Sequence, residues 1–439
     1  MLRILHITPH MGGGAGNVIY KLSTAGDSRI SHKIFLLEQP VNNHFMTLVQ
    51  DSGVYVSVKP ARDELCKALL DSDIVLLHWW HHPKTAELLY TFPDIPVRLV
   101  IWTHISNLTV PALSPDILHE ATRVLFTTES SYKVYNSALT DEKMLERKTG
   151  VVPGSGGLDA FTKPDRKPHN SFNIGFLGFI DFSKLHPDFV SYCKAVNIPE
   201  ARFILAGDAP AKDTIIRQAK EKDISNPLDF TGYITDIQGI LSEFDVLGYP
   251  LAPYHTCTTE NAILEAMASE VPPVLINQLT EKFIIEDKKT GLLVSDVEGY
   301  GNAMKYLHEN PDKRYEMGKN AREYVISKYF YKNILEAFFV NCEAALSEQK
   351  RVMKFKGIMG STPAEWFVSC LGKDKALFEK SMKAGIGHQT EDIKNGILKC
   401  SPLLKGRRKS SILHYENEFP KDLMLRLWAD IIREENDVI

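Results

Sequence analysis

The sequence predicts an α/β protein of two doubly wound parallel-sheet domains followed by a mainly helical C-terminal extension. Three observations carry this reading. Short apolar runs alternate with longer helical patterns through most of the 439 residues. The alternation pauses at a stretch poor in core residues and then restarts. It stops altogether beyond about residue 350. A chain of this length exceeds what one hydrophobic core usually holds, so two domains plus an appendage is the expected organisation.

In the first half, LRILHIT, HKIFLLE, DIVLLHW, VRLVIWT and TRVLFTT read as strands. They are β-branched or leucine-rich and lack clean alternation, as strands buried on both faces of a parallel sheet do. The second half restarts with FNIGFLG, ARFILAG, LDFTG, FDVLGYP, VPPVLIN and GLLV. Between the halves, residues 151–171 (VVPGSGGLDAFTKPDRKPHNS) are rich in Gly, Pro and charge and read as a linker. The expected divisions are 1–165, 166–335, a helix over 336–350 crossing back to the first domain, and a helical extension over 351–439.

Composition is that of an ordinary globular protein, with 44% hydrophobic and 24% charged residues. A net charge of −4 exerts no general pull on nucleic acid, so no nucleic-acid partner is expected. The six cysteines are scattered, without C-x-x-C or zinc spacing, and read as reduced thiols of a cytoplasmic protein. MLRILHITPH turns polar too soon for a signal peptide, and no apolar run approaches the ~20 residues of a membrane span. Any membrane contact is expected to be peripheral, at the inner face.

Open parallel sheets bind ligands outside the carboxyl ends of their strands, which selects residues for inspection. After LRILHIT come Gly12, Gly13 and Gly14, leading into the helical stretch NVIYKLSTA. Such glycines let backbone approach a phosphate, and the helix N-terminus offers free N–H groups. The same turn also serves plain strand-to-helix packing, and the full G-x-G-x-x-G spacing is missing. His78, His81 and His82 lack the i, i+4 convergence of a helical metal pair. They read instead as an aromatic and imidazole surface facing the cleft. His104 stands alone at a strand end, where an imidazole can hydrogen-bond or exchange a proton with a substrate, or simply pack in a loop. Asp71-Ser72-Asp73 precedes its strand, at the wrong end for a metal-holding D-x-D, and reads as a turn.

In the second half, Lys184 follows the carboxyl end of FNIGFLG, where a cation meets an anionic ligand. In HTCTTENAILEAMA, Thr258 or Thr259 is placed to cap a helix that opens with Glu260 and Asn261. Glu265 sits within the apolar run AILEAMA, where a carboxylate needs hydrogen-bond donors such as the paired hydroxyls of a sugar.

These residues resemble those of bacterial retaining glycosyltransferases of family 4, which have the GT-B architecture of two facing Rossmann-like domains. The resemblance covers roughly residues 1 to 340 and is strongest over 228–270, where LDFTGYITDIQGILSEFDVLGYPL precedes NAILEAMASEVPPV. It implies a glycine-rich loop at Gly12–Gly14, a histidine at His104 contacting the transferred sugar, and an interdomain element in VVPGSGGLD with Gly156 and Asp159. It also implies a diphosphate-binding lysine at Lys184 and a ribose-holding glutamate at Glu265. Thr258, Thr259 and Asn261 fall on the donor side. Two positions depart from the pattern. Phe179 stands where an arginine is usual, and Cys257 stands where the first glutamate of E-x7-E is usual. Glu260, three residues later, is the candidate replacement and is assigned with His104 to catalysis.

The implied function is metal-independent transfer of a sugar, of hexosyl type, from a nucleotide-diphosphate sugar with retention of configuration. The implied acceptor is a glycan or glycolipid of a surface polysaccharide, and no cofactor is expected. The same fold leaves open a nucleotide-sugar epimerase or a non-catalytic nucleotide- or carbohydrate-binding relative. In the extension, WFVSCLG, ILHYENEF and LMLRLWADII offer apolar faces for packing on the core or on a second copy. The basic runs KRVMKFK and KGRRK are candidates for anionic lipid or a lipid-diphosphate acceptor.

Overall fold

A computed structural model describes residues 1–25, 29–136, 142–163, 165–166, 168–406 and 410–436. Residues 164 and 167 of the linker, and 407–409 of the basic run KGRRK, lie outside the described residues. The chain divides into two compact units, one of residues 1–156 with 335–439 and the other of residues 157–334. The division falls inside the glycine- and proline-rich stretch.

The first unit is built on a seven-stranded parallel sheet. Its strands are β1 (Leu2–Thr8), β2 (Ile30–Leu36), β3 (Tyr55–Val58), β4 (Ile74–Trp79), β5 (Leu99–Thr103), β6 (Arg123–Phe126) and β7 (Thr149–Val151). They lie in the order β3-β2-β1-β4-β5-β6-β7. The second unit has six strands: β8 (Phe172–Leu177), β9 (Ala201–Ala206), β10 (Leu228–Gly232), β11 (Val246–Tyr249), β12 (Pro273–Ile276) and β13 (Leu292–Val294). Their order is β10-β9-β8-β11-β12-β13. In both sheets the order reverses direction beside the first strand of the unit, which opens a crevice at the carboxyl ends.

Every apolar run read as a strand is one. The strands without a sequence signal are β3 and β7, which lie at the two edges of the first sheet. An edge strand is covered on fewer sides, so it needs no continuous apolar run. β3 is accordingly only partly buried, and β7 has three residues.

The extension belongs to the core of the first unit. Trp366, Phe367, Phe378, Tyr415 and Trp428 share one apolar cluster with Leu5, Ile7, Val75, Leu77 and Ile101 from the sheet. The three apolar stretches are thus used within the chain. KRVMKFK is also a packing segment: Val97 and Arg351 form an antiparallel bridge, Lys350 Nζ donates to Ser72 O at 2.7 Å, and Met353 and Phe355 are buried. The opposite face of the sheet packs Met11, Ile19, Ile34, Leu36 and Val49. Among the described residues, no helix is long and apolar enough to cross a membrane.

Candidate active site

The second unit brings four sequence-selected residues together. At the end of β8, Gly178 has φ 131°, and after β9 Gly207 has φ 137°. L side chains rarely adopt these angles, and a Cβ at Gly207 would overlap Gly178 O. The chain then turns through Asp181, whose Oδ1 accepts from Ser183 N at 2.8 Å. Lys184 O accepts from Ala252 N at 2.8 Å, and Leu185 bridges Leu251, so the lysine backbone is pinned to the loop leaving β11.

From there Lys184 Nζ reaches Glu260 Oε1 at 2.8 Å. The Tyr249 hydroxyl lies 3.1 Å from the same oxygen and 3.0 Å from Leu177 O, with one proton to share between them. Burial pushes the Glu260 carboxyl up, but the Lys184 charge and the Cys257 thiol outweigh it and hold the group below its usual range. Burial and the Glu260 charge push the Cys257 thiol well up, so it stays neutral and donates to Glu260. The cysteine at the expected glutamate position is therefore a donor to the carboxylate three residues on.

The helix begins at Asn261, not at a threonine cap. Glu260 is its N-cap, in the left-handed region at φ 51°, and its own side chain makes no capping hydrogen bond. Neither Thr258 nor Thr259 is the N-cap residue expected from the sequence: Glu260 holds that position and points its carboxylate at Lys184. A non-glycine residue held left-handed costs roughly 1–2 kcal/mol, so the ion pair is made against local backbone preference. Asn261 Oδ1 is buried with no hydrogen-bond partner among the described residues. The Glu265 carboxyl is pushed up to about 7, by burial first and by the Glu260 charge second, with Lys184 opposing.

Beneath this cluster lies a buried pair that carried no local sequence signal. His255 Nε2 meets Glu281 Oε1 at 2.8 Å, and His255 Nδ1 accepts from Cys257 N at 3.0 Å. Gln278 Nε2 donates to the same Glu281 oxygen at 3.2 Å. The pair braces the loop that carries Cys257 to Glu260. Phe179, at the expected arginine position, is exposed.

In the first unit, Gly12 is the N-cap of the helix Gly13–Thr24, and Gly13 has φ 60°. Gly12 N–H donates to His10 Nδ1 at 3.0 Å, so this amide is already engaged. His104 Nε2 lies 2.8 Å from His78 Nδ1, and burial lowers the His104 pKa to about 3, leaving a neutral ring. His81 and His82 are buried, not part of a surface. The extension covers them: His81 Nε2 lies 3.1 Å from Phe367 O, and its ring stacks on Tyr415 at 5.0 Å.

His10, Glu38 and His82 come together with ligand-like spacing, their donor atoms within 4.8 Å of one another. Their hydrogen bonds do not suit a cation. His10 Nδ1 accepts from Gly12 N and His82 Nδ1 from Lys84 N, so each neutral ring carries its proton on Nε2. Those N–H groups sit 4.0 and 3.5 Å from Glu38 oxygens. A cation at Nε2 would require both rings to move that proton to Nδ1 and give up the backbone bonds to Gly12 and Lys84. Asp73 of the D-x-D pairs with Arg3 at 2.9 Å.

Two doubly wound parallel-sheet units with a helical C-terminal region constitute the GT-B architecture, and solved structures share it. The glycosyltransferase of Rickettsia africae superposes with a TM-score of 0.63 at 14% identity, over 79% of this chain and 99% of that one. Anabaena HepE in complex with UDP and glucose gives 0.62 at 15% identity, over 78% and 100%.

Residues 171–310 match the family model described as "Glycosyl transferases group 1". A poly(ribitol-phosphate) alpha-N-acetylglucosaminyltransferase of Staphylococcus aureus is 28% identical over 141 residues, 31% of this chain and 27% of that protein. The lipopolysaccharide core biosynthesis glycosyltransferase LpsE of Rhizobium meliloti is 23% identical over 143 residues, 32% of this chain and 41% of that protein. The chain thus matches less than half the length of either relative.

Proposed function

We propose that this chain is a glycosyltransferase that moves a sugar from a nucleoside-diphosphate sugar to a glycan or glycolipid acceptor of a surface polysaccharide. The observation that carries the reading is the Lys184–Glu260 pair with Glu265 beside it, inside the segment matched by the glycosyltransferase model. Lys184 and the first turn at Asn261 take the diphosphate and stabilise the charge that develops as it leaves. Glu265, as carboxylate, accepts the paired ribose hydroxyls. Glu260 takes hydroxyls of the sugar and so replaces the glutamate that Cys257 displaces, while Thr258 and Thr259 line the approach to it. For His104, Gly13 and Gly14 of the first unit, a sugar or phosphate role rests on the sequence resemblance alone.

The proposed transfer proceeds with retention and without a metal. The ammonium and the helix terminus supply the positive charge that a divalent ion would otherwise bring to the leaving group. UDP and UDP-glucose are the first ligands to try, because they occupy the HepE structures. A panel of nucleoside diphosphates and nucleotide sugars, scored by thermal stabilisation, tests the reading. At least one should raise Tm, and both Lys184→Ala and Glu265→Ala should abolish that rise. Turnover of donor that does not depend on acceptor would instead indicate an epimerase.

A further inference from the structure

Four histidines of the first unit form an unbroken hydrogen-bonded row. His32 Nδ1 lies 2.8 Å from His6 Nε2, His6 Nδ1 lies 2.9 Å from His78 Nε2, and His78 Nδ1 lies 2.8 Å from His104 Nε2. The strand register explains how residues so far apart meet. His32 pairs with Ile4, His6 with Leu76, and His78 with Trp102. Each next histidine stands two residues beyond the residue paired with the last, which keeps all of them on one face of the sheet. The row crosses β2, β1, β4 and the exit of β5, ending at His104 on the carboxyl side.

The interior of the row is charge-free: burial holds His6 and His78 well below the ordinary imidazole range, and His104 at about 3. A neutral imidazole has one N–H and one bare nitrogen. Each bond in the row therefore needs a donor on one side and an acceptor on the other, and the choice made at one ring is forced on the next. Only two patterns satisfy every bond. In one, all rings carry the proton on Nδ1 and His104 presents an N–H outward. In the other, all carry it on Nε2 and His104 presents a bare Nδ1. A mixed pattern sets N–H against N–H, or lone pair against lone pair, leaving unmatched groups on the fully buried His6 and His78.

We propose that His32, His6 and His78 are positioning residues that together decide which nitrogen of His104 bears its proton. His104 then meets a ligand hydroxyl either as a donor or as an acceptor, without either form carrying charge. The coupling of tautomers stands apart from the catalytic reading; only its consequence for a sugar hydroxyl rests on the glycosyltransferase assignment.

The test is nitrogen NMR of the full chain with labelled histidine and no ligand, reading the tautomer of each ring from its two nitrogen shifts. In the wild type, His6, His78 and His104 should share one tautomer. His32→Asp places an acceptor at the far end and should leave His104 protonated on Nε2. His32→Lys places a donor there and should reverse His104 to the Nδ1–H form. Adding His6→Phe to either variant should erase the difference. The same His104 tautomer in both single variants, with Tm retained, overturns the proposal. If either variant does not fold, unlike tautomers among the three wild-type rings overturn it equally. Because no nucleotide sugar is present, failure of the glycosyltransferase reading leaves this result untouched.

Discussion

Lys184 Nζ and Glu260 Oε1 stand 2.8 Å apart and join the loop after β8 to the N-cap of the helix Asn261–Ala268. Both side chains are largely withdrawn from water, at 21% and 9% exposed. In such a setting the partners cannot be removed singly without cost, because the one left behind is an uncompensated charge. Glu260→Ala should therefore destabilise the chain by about 3 kcal/mol, read by urea unfolding. The double change Lys184→Met with Glu260→Leu should recover most of that loss. Additive effects of the two sites would contradict a coupled pair.

Glu265 should make stability depend on pH. Its folded pKa of about 7 lies above that of a carboxyl in the unfolded chain, so between those values the folded state binds the extra proton. Its contribution is thus least unfavourable in acid, and stability falls as pH rises through that window. Glu265→Gln removes this cost and should raise stability by about 3 kcal/mol at pH 8, because each tenfold gain in proton affinity on folding is worth about 1.4 kcal/mol. The gain should shrink toward zero as pH falls to the ordinary carboxyl range. Tm measured across pH checks the sign, and a pH-independent difference would contradict it.

The same group should couple nucleotide binding to protons. If ribose hydroxyls donate to the carboxylate, the ligand binds the deprotonated form. Affinity should then rise roughly tenfold per pH unit up to about 7 and level off above it. Calorimetry at pH 6 in two buffers of different ionisation enthalpy should register proton release on binding. An affinity that does not change between pH 5.5 and about 7 would remove Glu265 from the ribose.

Gly207→Ala should disturb the site from a distance. The new methyl would overlap Gly178 O, and neither atom sits on a flexible side chain that could swing away. The expected cost is about 1–3 kcal/mol for the backbone conformation alone. The displaced end of β8 should also reduce any nucleotide-induced rise in Tm. Gly53→Ala, where a Cβ meets open space at φ 86°, is a control for positive φ without a clash.

Removing the extension should unfold the first unit. Trp428 is completely buried against Phe378 and donates through Nε1 to Ser381 Oγ at 2.9 Å. Trp428→Ala should cost about 3–5 kcal/mol. A chain ending at residue 350 should expose the sheet face that the extension covers, which dye binding and hydrogen exchange would report. A soluble, protected truncation would show that the extension is dispensable.

Much of the fold was legible because a strand buried on both faces must be apolar along its length, and such runs stand out. The edges β3 and β7 were not, since nothing forces that composition on them. Lys184 and Glu265 were selected by one rule, that ligands sit at the carboxyl ends of parallel strands, and by one anomaly, a carboxylate among apolar neighbours. Thr258 and Thr259 misled as caps because a propensity for N-capping cannot register a lysine 76 positions away that competes for the adjacent carboxylate. His81 and His82 misled because their cover comes from residues near the other end of the chain.

By itself, then, the sequence determined the two sheets and selected residues at the carboxyl ends of their strands, all through local pattern. The tertiary structure alone decided that Glu260 turns to Lys184, that Cys257 serves as a donor to it, that His255 braces Glu281, and that four histidines align across four strands. The reason is physical. Strand order and register bring distant residues within a few ångströms, and a hydrogen bond exists only once that distance does.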